Sequence, residues 1–385
     1  MTSEQIKLSV VSVFPKFKDG IPRASEELIK EMCEIEEISS VSIIARQDLN
    51  YISPSILEHE KVSLFTTSRF LTPWQLLKLF RRYKDSNIFL LLAPAWDVFD
   101  PLLELYLFFF LIKYRFLPSG RWIQQLHDFI PYVCSKDTGE EKRTLKLNNA
   151  FKKYFRMVPA MYVAVSEATK QDAIHYWDLP EEDIAVIHHG SFIAPGKPRS
   201  NFGSNKVMMV SNISPRKNQT RLIEAFELVH QKSNDAAELI IVGNVRKDVP
   251  EFESTLQAVR ERNSDIKITI SGFLADSDIR KLYDQVDVFV YPSLYEGFGL
   301  PVLEAMACGC PIITSNLSSL PEVVGEAGLL VDPYNVDELA DAMLKVLKDN
   351  DLKREMSERS IDRAREFSWT NACNQWVAVC KEVMH

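Results

Sequence analysis

The chain has 385 residues, 46% of them hydrophobic and 25% charged, with a formal net charge of −8. That length suggests two domains of ordinary globular composition, each able to bury a sizeable core. The acidic balance excludes a protein held on nucleic acid by overall charge, while leaving room for a local basic patch.

The N-terminus, MTSEQIKLSVV, lacks the basic region, apolar core and small-residue cleavage site of a secretory leader, so a cytoplasmic location is expected. Ile6 to Phe14 is a short β-rich run, followed by a loop containing Gly20 and by the helical EELIKEMCEI, which together make a βα unit. Val41 to Arg46 is a second strand, and a basic amphipathic stretch runs from Phe70 to Lys84. After the apolar run Ile88 to Pro94 comes PLLELYLFFFLIKYRFL, Pro101 to Leu117. It is shorter than the roughly 20 apolar residues that span a bilayer and carries three charges, so it reads as a core-packed helix. The alternative is peripheral contact with the inner face of the membrane. Arg121 to Asp128, Met161 to Ser166 and Ile184 to Gly190 complete a series of apolar strands separated by helices, the pattern of a parallel sheet covered on both faces.

Residues 191–205 concentrate Gly, Pro, Ser and Asn without hydrophobic periodicity and are read as a linker. Strand and helix patterns then resume through KVMMVSNI, ELIIVGN, IKITISGF, VDVFVYPS, PIITS and GLLVDP, so a second doubly wound domain is expected over 206–367. The first would occupy 1–190, with a last helix at about 368–385 that can pack back onto it. The six cysteines include no pair of C-x-x-C knuckles, which disfavours zinc and fits reduced thiols.

Chemistry concentrates in a few places. In YEGFGLPVLE, Glu296 precedes a turn holding Gly297, Phe298 and Gly299, and a helix starting near Leu300 carries Glu304. Such a turn can seat a phosphate or sugar hydroxyl on unpaired helix N–H groups. In SNISPRKNQT, Arg216 and Lys217 stand at the mouth of another helix, where two cations suit a diphosphate. In HDFIPY, His127 and Asp128 follow a strand directly; the histidine can reach a sugar hydroxyl, or the pair can simply cap the next segment. Ser166 reads as an N-cap with Thr169 in the capping-box position. No G-x-x-x-x-G-K-[ST], H-E-x-x-H, G-x-S-x-G or D-x-D occurs, so a diphosphate would have to be held by Arg216 and Lys217 rather than through a metal ion.

The run from Pro292 to Pro333, with its E-x7-E spacing at Glu296 and Glu304, resembles the signature of the group 1, glycogen-synthase-like family of retaining nucleotide-sugar glycosyltransferases. HDFIPY together with PRKN is similar to a bacterial subgroup that builds surface polysaccharides. The resemblance implies a GT-B α/β fold, two doubly wound Rossmann-like domains facing a central cleft. It also implies transfer of a hexose from a nucleotide-sugar such as UDP-glucose or GDP-mannose to a glycan or lipid-linked acceptor, with no cofactor, no metal and no nucleic-acid partner. Glu304 would accept from the donor ribose, and Glu296 with the N–H groups of Gly297 to Gly299 would hold the sugar. Arg216 and Lys217 would neutralise the diphosphate, Gly20 would let the first loop approach it, and His127 would contact the sugar. Gly272, Phe273 and Leu274 would flank the nucleobase. Asn212, a donor-contacting position, stands where many relatives have an arginine and cannot supply its charge. A sugar-nucleotide epimerase of the same fold, or a binding module without transfer, are the alternatives.

Overall fold

A computed structural model describes residues 5–12, 20–46, 52–67, 88–92, 122–134, 161–233, 237–245 and 249–385. The amphipathic stretch at Phe70 to Lys84 and the apolar run at Pro101 to Leu117 lie outside them. Among the described residues, no helix is long and apolar enough to cross a membrane.

The chain forms two compact units. In the N-terminal unit, β1 (Ile6–Ser12), β2 (Ile38–Arg46), β3 (Val62–Thr67), β4 (Ile88–Leu92), β5 (Trp122–Leu126), β6 (Met161–Ala164) and β7 (Ile184–Val186) build one sheet in the order β3-β2-β1-β4-β5-β6-β7. Every ladder is parallel. β3 is absent from the sequence reading because VSLFTT, at the sheet edge, is half polar and too short to register as an apolar run. The helix after β1, α1 (Gly20–Glu34), begins on Gly20 itself, so this glycine is helical and does not belong to the preceding loop. Ser166 caps α2 (Glu167–Trp177): its Oγ accepts from Thr169 N at 3.1 Å.

The C-terminal unit repeats the scheme. Its strands β8 (Lys206–Val210), β9 (Glu238–Val242), β10 (Lys267–Gly272), β11 (Val288–Tyr291), β12 (Ile312–Ser315) and β13 (Gly328–Val331) pair in the order β10-β9-β8-β11-β12-β13, again all parallel. β11 and β12 are buried along their whole length, as a strand covered by helices on both faces must be. This order, 3-2-1-4-5-6 within the unit, reverses direction between β8 and β11, and ligands of such sheets bind outside the carboxyl ends at that reversal.

Residues 191–205 have no regular secondary structure but are tied to the C-terminal unit. Gly203 N, Ser204 N and Asn205 N donate to the Asp287 carboxylate at 3.1, 3.2 and 3.2 Å, and Lys353 Nζ reaches it at 3.2 Å. Burial alone would raise the Asp287 carboxyl; the Gly203 N–H and the Lys353 ammonium overcome this and lower it. The last helix, α3 (Trp369–Met384), belongs to the N-terminal unit, where Thr370 Oγ1 donates to Glu31 of α1 at 3.0 Å. Gly190 is required where the chain passes Trp369, since a Cβ there would lie 2.3 Å from the Trp369 nitrogen. All six cysteines are free and buried.

Asp287→Ala leaves the Lys353 ammonium buried without its counterion, and should cost about 3–5 kcal/mol. Lys353→Met should cost less, because the backbone N–H groups still hold the carboxylate. The measurement is urea unfolding: the circular dichroism transition of Asp287→Ala should move to lower urea than that of the wild type, and that of Lys353→Met should move less.

Candidate active site

The loops that leave β8 and β11 at the sheet reversal carry Arg216, Lys217 and Glu296. After β8 the chain makes a single 3₁₀ turn, Pro215–Lys217, with Pro215 pre-setting its first dihedral. Asn218 then takes φ +64°, a conformation asparagine tolerates well, and starts the helix Gln219–Lys232. The Asn218 side chain is buried and fastens three loops. Its Nδ2 donates to Pro292 O (3.0 Å) and Pro333 O (2.7 Å), and its Oδ1 accepts from Arg221 (2.9 Å). Leu294 N donates to Arg216 O at 2.8 Å, which laces the β11 loop to the 3₁₀ turn.

Glu296 sits at the centre of this lacing, 8% exposed. Its Oε1 accepts from Lys217 Nζ at 2.6 Å and from Ser293 Oγ at 2.5 Å, and it lies 2.9 Å from the Arg216 guanidinium. Burial pushes this carboxyl up, but the charges of Arg216 and Lys217 and the bonds from Lys217 and Ser293 outweigh it and bring it down to about 2. Glu296 is therefore ionised throughout the physiological range. Two cations thus face the Glu296 carboxylate. The loop after β12 fixes the backbone of the motif: Glu296 N donates to Ser318 Oγ at 2.9 Å, and Ser319 Oγ donates to Glu296 O and Phe298 O at 2.9 and 2.8 Å. Arg216 also donates to Tyr295 O.

Gly299 has φ +112°, and a Cβ there would lie 2.9 Å from Leu320, so only glycine closes this turn without strain. The helix Leu300–Ala307 follows, and its Glu304 is half-buried, 3.5 Å from the hydroxyl of buried Tyr283. At the end of β10, Gly272 has φ +70° and leaves Phe273 77% exposed, with Leu274 half-buried. Asn212 is exposed, and its Oδ1 accepts from Asn244 N at 3.3 Å, so it braces the ends of β8 and β9.

Gly20 and His127 belong to the N-terminal unit. Asp128 does cap the segment after it, accepting from Ile130 N at 3.1 Å. His127 is different: it is 8% exposed, its Nε2 has no hydrogen-bond partner among the described residues, and its ring stacks 5.8 Å from that of His189. Burial pushes its imidazole down to about 4, so it is neutral at pH 7.

The sequence reading thus reached the charges but missed their fixings. Asn218 stands with Arg216 and Lys217 at the helix mouth in the sequence, but nothing in the residue pattern marks Tyr291, Ser293, Ser318 or Ser319, although SNLSSLPEVV lies inside the recognised run. Serines and a strand tyrosine have no distinctive spacing, and only the pairing of β8, β11 and β12 brings them round Glu296.

The buried ion cluster lies beside a helix mouth at the reversal of a doubly wound sheet, the position at which α/β sheets of this kind bind ligands. More specifically, residues 193–366, most of the C-terminal unit, match the family described as "Glycosyl transferases group 1". O-antigen chain mannosyltransferase B of Escherichia coli is 37% identical over 174 residues, covering 45% of each chain. The serotype-specific mannosyltransferase WbdA of Escherichia coli is 31% identical over 224 residues, covering 55% of this chain and 27% of that one. The matches therefore span less than half the length of these relatives. Over nearly the whole chain the fold is GT-B. Anabaena HepE, solved with UDP and glucose, superposes with a TM-score of 0.72 at 18% identity, covering 97% of this chain and 98% of its own.

Because folded His127 takes up its proton near pH 4 and an unfolded histidine near 6.5, its contribution to stability is complete above 6.5 and is lost as pH falls to 4. The loss should reach about 3 kcal/mol. Replacing the residue in His127→Gln should flatten the pH dependence of the tryptophan-monitored unfolding midpoint across that window.

Proposed function

We propose that this protein is a retaining hexosyltransferase that carries a sugar from a UDP- or GDP-sugar to a glycan or lipid-linked glycan in bacterial polysaccharide synthesis. The observation that carries the reading is the cluster of Arg216 and Lys217 on Glu296 at the sheet reversal. The family match over 193–366 supports it, and the mannosyltransferase names of the relatives favour mannose as the sugar.

In this reading the donor diphosphate binds against Arg216 and Lys217. As the bond from the anomeric carbon to the phosphate oxygen breaks, negative charge grows on the leaving diphosphate, so cations fixed beforehand stabilise the transition state more than the bound donor. The acceptor hydroxyl attacks from the face the diphosphate leaves, which gives retention without an enzymic nucleophile. Glu296, ionised and held through Oε1, accepts from a sugar hydroxyl, and the N–H groups of Gly297 to Gly299 complete the sugar contact. Glu304 accepts from the ribose, and Gly272 to Leu274 flank the base. His127, neutral and with a ring nitrogen that no described residue pairs, hydrogen-bonds the sugar, and Gly20 at the start of α1 serves the phosphate. Without a D-x-D motif, the cations replace a metal ion. The proposed site of action is the cytoplasm, at the inner face of the membrane where lipid-linked acceptors are found.

Three outcomes are expected. Lys217→Ala should lower turnover roughly hundredfold with a smaller change in KM, as for loss of one transition-state charge contact. Glu304→Ala should chiefly raise KM and remove the thermal stabilisation that UDP or GDP confers on the wild type. Steady-state rates in excess EDTA should equal those without it; loss of activity restored by Mn²⁺ would refute the metal-free mechanism.

A further inference from the structure

Tyr291, the last residue of β11, is 0% exposed, and its hydroxyl lies 2.6 Å from Lys217 Nζ. A fully buried strand position in a sheet core suits phenylalanine or isoleucine; a phenol there must have a partner for its hydroxyl. Here the partner is the ammonium of Lys217, the same group that binds Glu296 at 2.6 Å. The tyrosine itself is rigidly placed. Its backbone carbonyl accepts from Thr314 Oγ1 at 2.8 Å, its strand pairs with β12 at Thr314, and its ring stacks on Phe289 with centroids 6.0 Å apart. Lysine, by contrast, ends a flexible four-carbon stem and gains no geometry of its own. The short bond to a core-locked hydroxyl, added to the bond to Glu296, restricts where the ammonium can sit. Burial and the neighbouring Glu296 carboxylate keep the phenol protonated, so it adds no charge to compete with a diphosphate.

We propose that Tyr291 is a positioning residue for catalysis: its hydroxyl, together with Glu296, holds the Lys217 ammonium where the charge of the leaving diphosphate develops. This rests on the functional reading of Lys217 given above. It also gives a chemical reason for tyrosine at a strand position where an apolar residue would pack as well.

The test uses the full chain and follows release of nucleoside diphosphate from UDP-glucose and GDP-mannose in wild type, Tyr291→Phe, Lys217→Ala and the double variant. Tyr291→Phe keeps the ring, and its circular dichroism melting curve shows whether the fold is kept. The expected result is a turnover about ten- to a hundredfold lower with KM within about threefold, the loss of one hydrogen bond to a charged group. The losses in the double variant should fall well short of additive, because the hydroxyl is bonded into the same charged cluster as that lysine. A merely structural hydroxyl would instead add its full effect in the double variant. Tyr291→Phe at wild-type turnover, or additive losses, would overturn the inference while leaving Lys217 as the charge donor. Should Tyr291→Phe melt well below wild type, Tyr291→Met supplies the second variant, with the same non-additivity required. If Lys217→Ala turns over at the wild-type rate, or the wild type releases diphosphate from neither donor, the reading of the site itself fails and takes the inference with it.

Discussion

A buried carboxylate that must stay charged is the constraint on which the C-terminal unit depends. Glu296 is removed from water, which by itself disfavours ionisation, and it remains an anion only because two cations and a serine hydroxyl converge on one of its oxygens. Removing any of them would take away part of what offsets the desolvation of a buried anion. The surrounding structure follows from holding these groups at that distance. The 3₁₀ turn at Pro215, the left-handed Asn218 and the serines after β12 place the backbone so that long side chains meet with little freedom left to lose. For a proposed transferase, this pre-paid ordering matters because fixed charges need not reorganise as the donor bond breaks.

The sheet supplies the platform. Six strands of each unit follow the same order, and in the C-terminal one β8 and β11 are neighbours although 81 residues separate the starts of their loops, Ser211 and Pro292, which follow the carboxyl ends of the two strands. Parallel pairing puts the carboxyl ends of both strands on one edge, where two loops remote in sequence can be laced by Leu294 N to Arg216 O. The Asp287–Lys353 pair does a comparable task away from the site. It fastens the stretch entering β8 to the body of the unit, so that the residues joining the two units are ordered by specific bonds and not by secondary structure.

The N-terminal unit contributes a different kind of feature. His127 and His189 are both buried and stacked, and burial lowers both imidazoles, with His127 also disfavouring charge on His189. Neutral histidine can both donate and accept, which suits a hydroxyl-rich ligand better than an imidazolium would.

Much of this was legible in the amino-acid order. Continuous apolar runs separated by helical patterns determine two parallel α/β sheets, because strands covered on both faces need no polar alternation. The E-x7-E spacing, the PRKN turn and HDFIPY mark the charged groups. The edge strand Val62–Thr67 and the helical state of Gly20 escaped, since a half-polar edge and a helix start each depend on what packs beside them. Only the tertiary structure decided that Arg216 and Lys217 close on Glu296, that Tyr291 turns its hydroxyl to that lysine, and that serines after β12 hold the motif. The physical reason is distance along the chain. These contacts join residues some 20 to 80 positions apart, and hydrogen bonds between them exist only once strand pairing has brought their loops to one edge of the sheet.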